Sequence, residues 1–226
     1  MKLYPVNIDL FHRRCLIVGG GTVAFRKLKR LLACSAIVTV ISPEFAPDFF
    51  QISTDNHFML IKREVKKTDI DHYFMVFATT SDAKINEALS EWARQKNILC
   101  NIADNPNLSD FTLPSVVEQG DLNITISTNG KSPALSKHLR KQFMQLFGQE
   151  YAIFLTIMGN LREILGTTKT TPDDRKIKYH ELIDNGIIQK IKEKDIKSIS
   201  KILVDITGYQ LNDVLEQTII SKLIET

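Results

Sequence analysis

The stretch "CLIVGGGTVAFRKLKRLLACS", residues 15–35, limits what this chain can fold into more than any other. Cys15 to Val18 read as a short buried strand, and after the glycines Val23, Leu28, Leu31 and Leu32 recur at roughly helical spacing. Between strand and helix, Gly19, Gly21 and Ala24 fall in the GxGxxA form of the dinucleotide-binding fingerprint. The first glycine makes the tight turn, the second lets backbone N–H groups approach a pyrophosphate, and the small third residue lets helix and strand pack closely. The N-terminus of the helix adds partial positive charge and free donors. The plainer reading is that the glycines only close a strand-to-helix turn.

Four more apolar runs follow: "AIVTVIS" (36–42), "HFMLIKRE" (57–64), "YFMVFATT" (73–80) and "NILCNIA" (97–103). Before the last lies "DAKINEALSEWARQK", with Ile85, Leu89 and Trp92 on one helical face. Near-continuous apolar strands that alternate with helices imply a parallel sheet covered on both faces. The expected fold class is α/β, a doubly wound Rossmann-like sheet over residues 1–113, followed by a small segment over 114–150 and a helical domain over 151–226. The middle segment offers one alternating strand, Leu122 to Ser127, then an Asn-Gly turn. Ser132 and Pro133 are N-cap and first helical residue, and Leu135, Leu139, Phe143 and Leu146 mark the expected buried face of that helix. From Tyr151 onward only helical patterns remain, and the polar loop "GTTKTTPDDRK" (166–176) ends in a helix start.

Composition narrows the function classes. With 43% hydrophobic and 24% charged residues the chain is ordinary for a globular protein. Residues 1–113 carry 14 basic against 12 acidic side chains and residues 151–226 carry 11 of each, so no strongly basic face for nucleic acid is expected. Cys15, Cys34 and Cys100 are odd in number, widely spaced and in apolar contexts, which argues for a reducing compartment and against a disulfide framework or zinc site. "MKLYPVNIDLFHRR" breaks its apolar run with Pro5 and Asp9, so neither a signal peptide nor a membrane span is expected, and a cytoplasmic location is. His12, His57, His72, His138 and His180 show no metal-ligand spacing and are expected at surfaces or interfaces.

The blocks "YPVNIDLFHRRCLIVGGGTVAFRK", "VTVISPE", "CNIADNPNLSDFTLPS" and "ITISTNGKSPALSKHLR" together resemble the precorrin-2 dehydrogenase and sirohydrochlorin ferrochelatase family, the dehydrogenase module of sirohaem synthases. The likeness covers roughly residues 1–150, in order and with matching spacing; the C-terminal helices match only in kind. It implies oxidation of precorrin-2 to sirohydrochlorin with NAD as hydride acceptor and, in some members, insertion of ferrous ion to give sirohaem. It also implies a homodimer interlocked through the middle segment, and C-terminal helices that help wall the tetrapyrrole cleft. Residue by residue, Thr22 and Val23, and Pro43 and Glu44, correspond to NAD-contacting positions; Thr80 lies where the fourth strand nears the nicotinamide, and Asp104 corresponds to the catalytic aspartate. Thr128 stands where some members have a phosphorylatable serine in an "SSGG" or "STGG" run, and Asn129 here replaces a glycine of that run.

The residues themselves leave several points open. Ser42 and Pro43 stand where an acid usually holds the ribose 2′-hydroxyl; Glu44 is within reach of it but is equally well a solvated loop acid, so NAD over NADP is not decided. Asp104, just past the fifth strand, sits where ligands of open parallel sheets bind, and a carboxylate there suits a general base or, in metal insertion, a proton acceptor or iron ligand. Asp-Asn-Pro is also common turn chemistry. Lys137, Arg140 and Lys141, with no acid in 131–141, would attract a polycarboxylate such as precorrin-2, or form a plain solvated helix face. A nucleotide-sensing module that binds NAD(H) without chemistry is the rival from another class; a dehydrogenase for an unrelated small substrate is a third reading.

Overall fold

In the computed structural model, residues 3–52, 58–215, 217 and 220 are described. The chain divides into two compact units, Met1–Leu113 and Pro114–Thr226. His57 and most of the final helical pattern lie outside the described residues.

The first unit is a five-stranded parallel sheet, β1 (Arg14–Val18), β2 (Ile37–Ser42), β3 (Phe58–Lys62), β4 (Met75–Ala78) and β5 (Leu99–Ile102), in the order β3-β2-β1-β4-β5. The chain winds outward from β1 to β3, then returns to β4 on the other side of β1. The carboxyl ends of β1 and β4 therefore flank a topological switch point, the usual ligand position in such sheets. Both faces are covered, which is why the strands are apolar without alternation. Cys15, Ile17, Val38, Val40 and Phe77 pack on the side of α1 (Thr22–Ala33) with Leu28 and Leu31. Leu16, Val18, Val76 and Cys100 pack with Leu89 and Ala93 of α2 (Ala83–Gln95) on the other.

Among the described residues, the connections between β2 and β4 carry short 3₁₀ turns, Pro47–Phe50 and Lys67–Ile70. Phe49, buried and ring-to-ring with Phe25 and Phe45, fills space a longer helix would otherwise cover.

The second unit opens with an antiparallel hairpin, β6 (Ser115–Gln119) and β7 (Leu122–Ile126), turned by Gly120 at φ +56° and Asp121. Among the described residues six helices follow: α3 (Pro133–Leu146), α4 (Gln149–Gly166), α5 (Pro172–Asp184), α6 (Ile187–Lys192), α7 (Ile196–Thr207) and α8 (Leu211–Val214). Phe154, Ile157 and Leu161 on α4 recur at helical spacing and meet Leu182, Ile187, Ile199 and Leu203 in one core. Caps set the ends: Ser132 Oγ accepts from Leu135 N–H, Thr171 and Asp174 form a reciprocal box at α5, and Asp195 caps α7, which Gly208 stops at φ +82°.

Four expectations need correction. The middle segment holds two strands, because "SVVEQ" pairs with β7 although its own alternation is weak. On α3, Leu139 and Phe143 are half-buried but Leu135 and Leu146 are exposed, so this helix keeps an apolar stripe outside the unit's core. Val23 is 37% exposed, since Ala24, Leu28 and Leu31 carry the α1 packing face. Cys34 is exposed at the end of α1, whereas Cys15 and Cys100 are buried.

Candidate functional site

Beyond the carboxyl ends of β1, β2 and β4 lies an open cleft of about 670 Å³. Its floor is the glycine turn. Gly19 sits at φ +118°, donates its N–H to Ile41 O at 2.9 Å, and leaves no room for a Cβ because Thr79 lies 2.7 Å from where one would be. Gly20 is tighter: its Cβ would stand 1.9 Å from the carbonyl oxygen of Glu44, and its own carbonyl accepts from Ala46 N–H at 2.8 Å. The contact pins the 43–46 loop over the turn. Gly21, by contrast, faces open space.

Gly21 is the N-cap residue of α1, and no side chain caps that helix. The first intrahelical bond runs from Phe25 N–H to Gly21 O, and the first turn itself carries no acid to take its free N–H groups. An open cradle, unclaimed donors and a helix N-terminus fit a pyrophosphate; Thr22 and Val23 are exposed in the first turn of α1 but are not among the residues that line the cleft. Pro43, Glu44 and Thr80 line the same cleft with Gly19 and Gly21. The Thr80 hydroxyl donates to Asn86 Oδ1 at 2.8 Å, and Asn86 Nδ2 donates back to Thr80 O at 3.0 Å. Asp82 caps α2 by accepting from Lys84 N–H at 2.8 Å.

Asp104 is not among the cleft-lining residues. It stands two residues beyond β5 on the same edge of the sheet, exposed, with no hydrogen bond or ion pair among the described residues. The turn chemistry around it is carried by others: Asn105 Oδ1 accepts from Asn107 N–H, Ser109 Oγ accepts from Ile102 N–H at 2.9 Å, and Asp110 Oδ2 accepts from Cys100 N–H at 2.9 Å. Because β5 is an edge strand, the Ser109 and Asp110 side chains occupy backbone N–H groups of β5 that would otherwise be unpaired. The turn-former reading thus belongs to Asn105, and the Asp104 carboxylate remains uncommitted.

On the α1 face, Lys27 Nζ donates to Asn101 Oδ1 at 3.0 Å, and Asn101 Nδ2 donates to Phe111 O at 2.9 Å. Burial, with Arg26 and Arg30 close by, lowers the Lys27 pKa to about 8. The sequence reading passed over Lys27, Asn101, Gly20, Thr79, Asn86 and Glu64. Only Gly20 left a signal, as the middle member of a triple glycine.

Lys137, Arg140 and Lys141 belong to the second unit. They lie on one side of α3, where Arg140 Nε donates to Val116 O at 2.9 Å and Lys137 and Lys141 are exposed. Thr128 Oγ1 accepts from Ser132 N–H at 3.1 Å, and Asn129 takes φ +51°, a conformation Asn tolerates, so it replaces a glycine without breaking the turn. Among the described residues no group of three or more His, Cys, Asp or Glu is arranged to hold a metal ion, and no helix is long and apolar enough to cross a membrane.

Residues 6–115 match a family model described as putative NAD(P)-binding, and residues 119–145 match one described as sirohaem biosynthesis protein central. Siroheme synthase 2 of Cronobacter sakazakii is 30% identical over 214 residues, covering 94% of this chain and 47% of that protein. Siroheme synthase 1 of Yersinia pestis is 32% identical over 196 residues, covering 86% and 41%. The chain spans about half the length of these relatives. The solved structure of SirC, precorrin-2 dehydrogenase, superposes with a TM-score of 0.76 at 22% identity, over 92% of this chain and 100% of that one, and so shares its fold. Two adjoining family models and these relatives agree that the chain is similar to proteins of sirohaem biosynthesis.

Proposed function

We propose that this protein oxidises precorrin-2 to sirohydrochlorin with NAD as hydride acceptor. The observation that carries the reading is an uncommitted carboxylate, Asp104, on the ligand edge of a sheet whose switch point holds a dinucleotide-shaped cradle. The cofactor supplies the redox chemistry by taking a hydride. The chain supplies the rest. First-turn N–H groups of α1 hold the pyrophosphate, Glu44 stands by the adenosine ribose, and Thr80, braced by Asn86, borders the nicotinamide end. Asp104 accepts a proton released from the macrocycle as the hydride leaves. Lys137, Arg140 and Lys141 on α3 attract the substrate's carboxylates.

The resemblance and the exposed apolar stripe of α3 support a homodimer formed through that segment, and three free thiols suit a cytoplasmic location. The test is to give purified protein precorrin-2 and NAD and follow sirohydrochlorin absorbance, then add ferrous ion. Product formation that Asp104→Asn abolishes supports the reading, and a second spectral change on adding iron assigns metal insertion as well. No spectral change with precorrin-2 and NAD refutes it.

A further inference from the structure

Among the described residues no lysine or arginine lines the cleft: its charged lining is Glu44, Glu64 and Asp82. Glu64 follows β3, whose register sets Lys62 opposite Ser42, so Arg63 and Glu64 stand beside the Pro43–Glu44 loop, at the adenosine end of a bound dinucleotide. Dinucleotide sites that accept a 2′-phosphate place an arginine there. Arg63 directly precedes the cleft-lining Glu64, and its guanidinium is already occupied. Nη1 donates to Asp69 Oδ2 at 2.6 Å and to Glu64 O at 2.9 Å, and Nη2 donates to Asp69 Oδ1 at 2.8 Å. Asp69 is itself fixed, since Oδ2 also accepts from Lys66 N–H at 2.6 Å. The pair keeps the Asp69 carboxyl below the usual carboxylate range.

We infer that Asp69 and Glu64 are specificity-determining residues that exclude a 2′-phosphorylated dinucleotide. Asp69 does so by sequestering Arg63 in a bidentate pair, Glu64 by setting a carboxylate where the phosphate would lie. This rests on the dinucleotide-cleft reading. A phosphomonoester brings close to two negative charges near pH 7, so entry would set it against Glu44 and Glu64 with no free guanidinium to offset the repulsion. Discrimination therefore comes from a repulsive element and a withheld donor more than from added contacts to NAD.

The experiment is a titration of the full chain with NAD and with NADP, followed by calorimetry, for wild type, Glu64→Gln, Asp69→Ala and Asp69→Ala/Arg63→Met. Wild type is expected to bind NAD at least tenfold more tightly than NADP. Glu64→Gln, an exposed change, should tighten NADP about two- to fivefold and narrow the NAD-over-NADP ratio accordingly. Asp69→Ala should tighten NADP roughly tenfold, the scale of one charge-assisted hydrogen bond, and adding Arg63→Met should cancel that gain. Equal affinities in wild type, or no NADP gain in Glu64→Gln whether or not Asp69→Ala folds, would overturn the inference while leaving dinucleotide binding intact. Failure of wild type to bind either dinucleotide would overturn the cleft reading itself.

Discussion

The carbonyl oxygen of Glu44 occupies the space a side chain at Gly20 would need, with only 1.9 Å between them. Gly20→Ala must therefore displace backbone and with it the loop that borders the cleft. Gly21→Ala meets nothing, and Gly21 has an ordinary φ of −84°. The expected contrast is that Gly20→Ala lowers both melting temperature and NAD affinity, whereas Gly21→Ala keeps the melting temperature and weakens NAD about tenfold or more by intruding on the pyrophosphate. Thermal scans beside calorimetric titration separate the two.

Asp110 closes an open edge. Its carboxylate takes the Cys100 N–H and its own N–H donates to Cys100 O at 2.8 Å, so the segment from Asp104 to Phe111 is tied along β5. Asp110→Ala leaves the amide unpaired, at a cost of about 1–3 kcal/mol. A drop in melting temperature of several degrees is expected, and a fall in turnover with the NAD dissociation constant unchanged, because the tie lies on the Asp104 side. An unchanged turnover would show that Asp104 does not depend on this tie.

Lys27 gives a pH signature. Its folded pKa, about 8, lies below the unfolded value of 10.5, so between these values the unfolded state binds the extra proton and this group's contribution to stability improves as pH rises. The buried Cys15 thiol, raised to about 11 from 9.0 by burial, acts the other way and costs stability as pH climbs through that range. Lys27→Met isolates the first effect: wild type should gain on the variant between about pH 8 and pH 10.5. A constant difference in melting temperature across that range would contradict a buried ammonium on Asn101.

The apolar stripe of α3 makes its own demand. Leu146 is 60% exposed and Leu135 46%. If this stripe is the homodimer seam, Leu146→Glu should convert a dimer to a monomer in sedimentation without lowering the helical signal. A wild-type monomer, or a variant that stays dimeric, would remove the seam from α3.

The sheet was legible because parallel strands buried on two faces leave unbroken apolar runs, and the cradle because glycine spacing reports backbone demands directly. The first strand of the hairpin was not, since Ser115, Glu118 and Gln119 blur its period and only pairing with β7 fixes it. On α3, helical periodicity put Leu135, Leu139, Phe143 and Leu146 on one face, but that face was expected to be buried and Leu135 and Leu146 are exposed. Asp104 and Asp110 look alike in sequence, and only the hydrogen bonds show that one is committed to β5 and the other is not. The Arg63–Asp69 pair left no trace, because a bidentate contact six residues apart depends on the 3₁₀ turn between them.

The central claim is that the Asp104 carboxylate removes a proton in an NAD-dependent oxidation. It is tested most directly by single-turnover absorbance with precorrin-2 and NAD, comparing wild type with Asp104→Asn. The account expects NAD binding within about twofold of wild type and a rate of sirohydrochlorin formation lower by about 10²–10⁴, the range of general base catalysis. A variant that forms sirohydrochlorin near the wild-type rate would contradict it.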